Sequence, residues 1–115
     1  MAYVDGFVLV VPKKNALAYK KMARMGAKMW KKYGALEYKE CVIDDATPPW
    51  ITLTFPKMTK AKKNEQVWFS YIVYKSKKHR DQVNAKVMTH MDEDTKMPFD
   101  MKKISYAGFK VVVDA

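Results

Sequence analysis

Arg80 and Asn84 are the polar residues whose spacing points most directly to chemistry. They stand one helical turn apart on a stripe that continues through Val83, Val87, Met88 and Met91, the face on which a helix should meet the rest of the fold. A guanidinium on that face must find a carboxylate, a run of carbonyls or a bound anion, because burying it alone is costly. Two readings follow. Arg80 pins helix to sheet through Asp5, Glu40 or Asp44, or it clamps a ligand with Asn84 beside it; the residues favour the pin. Asp81 should point elsewhere around the helix. His79 has an ordinary pKa near neutrality and could act there as acid or base, although a histidine in a first helical turn is commonly plain surface. Cys41 has Glu40 as its neighbour, which opposes thiolate formation, so it reads as a packed structural thiol.

Standard catalytic motifs are missing: there is no G-x-S-x-G, no Gly-rich phosphate loop and no H-E-x-x-H. A single cysteine excludes an internal disulfide, and with only His79 and His90 it cannot build a Cys/His zinc cage. No metal and no cofactor is expected.

The elements that must position these residues follow from periodicity. Tyr3–Val11 is β-branched and loosely alternating and reads as a strand, with Gly6 a close-approach or bulge position. From Lys13 to Tyr33 the period becomes helical, with Tyr19, Met22, Ala23, Gly26, Met29, Trp30 and Tyr33 on one face and Gly34 placed just past the end. Leu36–Asp45 is a second strand. Trp50–Phe55 could be a short extra one, and Lys57–Asn64 reads as a solvated loop. Gln66–Tyr74 (QVWFSYIVY) is the strongest strand signal, apolar on both faces, so both faces should be covered. Ser76 caps a helix running to about Met91. Asp92–Asp100 is an acidic loop, and Ile104–Val113 the last strand.

The order is that of an α+β, ferredoxin-like βαββαβ fold with an antiparallel sheet, one domain over residues 1–115. Two helices cover only one face of such a sheet, yet its strands carry bulky apolar groups on both. Self-association through the open face is the simplest cover, which predicts a homodimer.

Composition narrows the function. The chain has 115 residues, 49% hydrophobic and 13% aromatic, enough for one core. With 22 Lys+Arg against 12 Asp+Glu the net charge is +10, so anionic partners are worth weighing. Eight of those basic residues lie between Lys13 and Lys32 with no acid among them. Lys20, Arg24, Lys28 and Lys31 form a stripe that reads as a wet helix face. No base-stacking motif accompanies it, so no specific nucleic-acid binding is expected. No apolar run approaches the ~20 residues of a membrane span, and the amino terminus reverses signal-peptide order, so no membrane association and a cytoplasmic location are expected.

YVDGFVLVVP, ALEYKECVIDD, VWFSYIVYKSKKHRDQVNAKVM and MPFDMKKISYAGF together resemble DUF1428, a family of small bacterial proteins of unknown function. The match runs in order over nearly the whole chain, apart from TPPWITLTFPKMTKAKK, which departs from the pattern. The resemblance implies a dimeric α+β barrel. It marks Glu40, Cys41, Asp44 and Asp45, then Ser70, Arg80, Asp81 and Asn84, then Met97 to Asp100, Tyr106 and Gly108, without assigning roles. Through the fold superfamily it implies a small-molecule-binding protein, with a cofactor-independent oxygenase or related enzyme among the options. The site would lie between sheet and helices, walled by Trp68, Phe69, Tyr71 and Tyr106. Its polar candidates are Arg80, Asn84, Glu40, Ser70, Tyr106 and His79. The alternative is a non-enzymatic module whose basic first helix meets an anionic partner, RNA or an acidic protein.

Overall fold

The apolar, β-branched run at residues 3–12 forms β1 (Tyr3–Pro12), an inner strand of a four-stranded antiparallel sheet. The computed structural model describes residues 1–91 and 96–115, so part of the acidic loop expected between Asp92 and Asp100 lies outside the described residues. After β1 come α1 (Ala16–Lys32), β2 (Glu37–Val42), α2 (Phe55–Thr59), β3 (Glu65–Tyr74), α3 (Lys77–Met88) and β4 (Ile104–Lys110). The strands lie in the order β2-β3-β1-β4, each antiparallel to its neighbour. This is the split βαβ arrangement that the element order requires. Among the described residues no helix is long and apolar enough to cross a membrane.

Strand alternation sorts the side chains onto two faces. Tyr3, Asp5, Phe7 and Leu9 of β1 stand opposite Tyr74, Ile72, Ser70 and Trp68 of β3, all on the helical side. There Leu9, Val11 and Trp68 pack with Tyr19 and Ala23 of α1. Ile72 and Tyr74 pack with Val83 and Val87 of α3 and with Ala35. Val83 and Val87 are fully buried, each contributing roughly 1.5–3 kcal/mol through area removed from water.

Both long helices are bounded as their residues dictate. The Ser76 hydroxyl accepts the His79 backbone N–H at 3.1 Å and caps α3. Gly34 has φ +116°, and Gly34 and Ala35 return their N–H groups to the Lys31 and Trp30 carbonyls, a Schellman ending for α1. Only glycine takes that backbone conformation without strain.

Several expectations need correction. Trp50–Phe55 is not a strand: the Thr54 cap and Pro56 in the first turn start α2 instead, which occupies part of the expected Lys57–Asn64 loop. β2 stops at Val42 and β4 at Lys110, both short of the expected ends. α3 stops at Met88, so Met91 falls off its buried stripe, and both methionines are exposed. The register runs unbroken through Gly6, which excludes a bulge. Its close approach is to Phe109, whose ring would lie 3.1 Å from an added Cβ. Cys41 is exposed rather than packed, because β2 is an edge strand and Cys41 stands on its uncovered face.

That second face carries Val4, Val8, Phe69, Tyr71 and Phe109. α2 packs against β3, and Val10 and Val67, on this same face, are buried. The rest is an apolar groove of about 380 Å³, with Phe69 42% and Phe109 56% exposed. Both faces of β3 were expected to be covered. Within one chain they are not.

Candidate functional site

Four of the six polar candidates singled out in the sequence fall into two groups on the helical side of the sheet. The first surrounds Asp5, whose side chain is only 2% exposed. Arg80 Nη1 donates to Asp5 Oδ1 at 2.7 Å, and the Tyr106 hydroxyl donates to the same oxygen at 2.9 Å. Arg80 Nη1 also reaches the Tyr106 hydroxyl, and Arg80 Nε bonds Asp81 at 2.8 Å, although Asp81 was expected to point away. The guanidinium lies 4.9 Å from the centre of the Tyr3 ring. Burial opposes the guanidinium's charge, but Asp5, Tyr106 and Asp81 outweigh it and raise its pKa. Tyr106 is pushed up to about 12 by burial and by Asp5, so it stays a donor. Arg80 is thus the pin between α3 and the sheet, and Asp5 is the carboxylate it uses.

Tyr3 fills the space above Gly108 on the neighbouring strand, where an added Cβ would collide with its ring. Gly108→Ala should therefore displace the ring from beneath Arg80 and cost roughly 1–3 kcal/mol, the usual range for overpacking. Denaturant titration measures this, and an unchanged midpoint would show that the ring moves aside freely.

Asn84 has a structural task as well. Its Oδ1 accepts from Trp30 Nε1 at 3.0 Å and from the Tyr74 hydroxyl at 3.2 Å, joining α1, α3 and β3. His79 turns away from Arg80: its Nδ1 accepts the Lys75 backbone N–H at 3.0 Å, which fixes the ring at the start of α3.

The second group is built around Glu40. Tyr19 of α1 donates to Oε1 and Tyr38 of β2 to Oε2, each at 2.7 Å. Ser70 is buried and stands directly opposite Glu40 in the register. Burial nevertheless raises the Glu40 pKa against these hydroxyl donors. Burial first, and Glu40 second, push both tyrosines far above the ordinary phenol range, so they remain protonated and donate.

Beside Glu40 opens a cleft of about 270 Å³ between α1 and the sheet, lined by Lys20, Ala23, Arg24, Ala27, Tyr38, Glu40 and Trp68. Trp68 is 4% exposed, and its buried Nε1–H has no hydrogen-bond partner among the described residues. Such an orphaned donor is uncommon in a folded chain.

Glu40 and Ser70 therefore meet at one place, Arg80 and Tyr106 at another, and Asn84 and His79 at neither. Phe69 and Tyr71, expected as cavity walls, lie on the opposite face of the sheet, and Tyr106 stands beside Asp5. Of that expected set only Trp68 lines the cleft. Sequence reasoning placed Lys20 and Arg24 on a solvated stripe and Tyr19 in the core. The signal available was parity: Tyr38 and Glu40 share a strand face, and Tyr19 and Ala23 share the inner face of the helix.

The fold and the cleft define an α+β protein of ferredoxin-like topology with its candidate site on the helical side. The chain belongs to the family described as protein of unknown function (DUF1428), whose model matches residues 2–101. It is 43% identical over 117 residues to the uncharacterized protein YbaA of Escherichia coli K12, with 99% of each chain covered, and matches YbaA of Shigella flexneri equally. Among solved structures it is similar to a dimeric ferredoxin-like protein from an uncultured marine organism. The TM-score is 0.59 at 12% identity, with 100% of both chains covered, a likeness of fold alone.

Proposed function

We propose that this protein is a homodimeric α+β barrel that binds a small molecule in the cleft between α1 and the sheet, with Glu40 as its proton-exchanging group. The observation that carries this reading is a cleft bordered by a carboxyl with raised proton affinity and by Trp68, whose buried indole N–H lacks a partner among the described residues. A carboxyl that holds its proton closer to neutrality is suited to general acid–base work, and it borders a space where a reacting atom would sit. Chemistry of that kind, from proton transfer to cofactor-free oxygenation, starts with removal of a proton from the bound molecule. The Arg80 cluster supports this site from a distance by fixing α3 and takes no part in binding.

The test is a ligand-observed NMR screen of anionic, neutral and cationic one-ring compounds against the wild type and Ala27→Phe, which fills the cleft from α1. Binders of any charge that are lost in Ala27→Phe support the cleft. A screen without binders, or binders indifferent to the substitution, would overturn it.

A further inference from the structure

Lys20 and Arg24 stand one turn apart on α1, both exposed, and both line the cleft that Glu40 borders. Among the described residues neither has a carboxylate within ion-pair distance. Glu40 is close but engaged: Tyr19 and Tyr38 occupy one oxygen each. With two cations against one carboxylate on its lining, the cleft is positive on balance. Its walls are an indole, two alanines and a tyrosine ring. At about 270 Å³ it falls just below the roughly 300–1,000 Å³ usual for drug-sized ligands, so one ring with one substituent is the size that fits.

We propose that the cleft takes a small organic carboxylate carried on a flat apolar body, with Lys20 and Arg24 holding the anionic oxygens and Trp68 packing against the body. This rests on the binding reading above and names the chemical class of its ligand. A cation would meet two positive side chains at the mouth. A neutral ring of equal size would gain the apolar contact but leave both cations unpaired. Arg24 can grip a carboxylate with two parallel N–H donors, while Lys20 adds a point charge, and both stems reach from the helix without disturbing the core. Around Glu40 stand Lys20, Arg24 and Tyr38 on the cleft, with Tyr19 from α1 and Ser70 from β3 buried behind them. Ionised Glu40 repels the anion, and its protonated form does not.

The experiment compares benzoate, benzamide and benzylamine, three probes of one size and three charges, by calorimetry on the full chain at low salt. Benzoate should bind at least tenfold more tightly than benzamide, and benzylamine should not bind. Lys20→Ala and Arg24→Ala, both at exposed positions that the fold does not need, should each weaken benzoate about tenfold and leave benzamide unchanged. Glu40→Gln keeps the shape and removes the competing charge, so benzoate should bind it at least as well as the wild type. Benzamide or benzylamine binding as tightly as benzoate, or benzoate indifferent to both basic substitutions, would overturn the carboxylate assignment while leaving the cleft as a binding site. Absence of binding by all three probes would overturn both readings.

Discussion

Arg80→Ala should lower the unfolding free energy by about 3–5 kcal/mol, the cost of leaving a buried carboxylate without its counter-charge. Asp5 is 2% exposed at the side chain, so water cannot replace the guanidinium. Tyr106 still donates to Asp5 after the change, which keeps one hydrogen bond but supplies no positive charge. The stacking of the guanidinium on Tyr3 is lost with it. Arg80→Lys should recover only part of the deficit, since an ammonium can meet Asp5 but cannot also reach Tyr106 and lie flat on a ring. The measurement is urea unfolding with the slope unchanged and the midpoint lowered. A double-mutant cycle with Asp5→Ala should return most of the loss as coupling between the pair. A loss under about 1 kcal/mol, the worth of a surface ion pair, would mean that Arg80 and Asp5 do not depend on each other.

That pair shows where the sequence was legible and where it stopped being so. A guanidinium on the inner stripe of a helix required an anion, and Asp5, Glu40 and Asp44 were all in reach by topology. Choosing among them depends on strand order, which places β1 between β3 and β4 and brings Asp5 beneath α3. Order in a sheet is set by pairings far apart in the chain, and residue types at one position do not encode it. Local features fared better. Ser76 as a cap and Gly34 past a helix end are properties of three or four neighbouring residues, and both stand where expected. Phe69 and Tyr71 were assigned to the same cavity as Trp68, although strand alternation forbids odd and even positions from sharing a face. The Glu40 cleft was half visible: Tyr38 and Glu40 belong together by parity, but the arrival of Tyr19 depends on how α1 docks. The Trp50–Phe55 segment misled because its apolar run imitates a strand, whereas Thr54 and Pro56 are helix-start chemistry.

The same alternation leads to the open face, where the proposed dimer predicts its largest effect. Phe69→Asp should convert a dimer into a monomer at micromolar concentration. Phe69 stands on the uncovered face of an inner strand, 42% exposed, with Val8 opposite it on β1 and Cys41 opposite it on β2. The described residues form a slab of 38 × 38 × 20 Å, with α1 and α3 on one side and this apolar face, partly covered by α2, on the other. A standard interface takes roughly 800 Å² from each partner. Two copies related by a two-fold axis bury the same patch on each, so one substitution acts twice. Each carboxylate would be dehydrated without a partner, at a cost of several kcal/mol per ion. Because Phe69 is partly exposed within one chain, the variant should keep its fold, and circular dichroism should show an unaltered sheet and helices. Light scattering should give the wild type twice the 13.4 kDa of one chain and Phe69→Asp that mass once. A wild type that scatters as a single 13.4 kDa chain, or a variant that stays dimeric, would show that this face is covered by something other than a second copy.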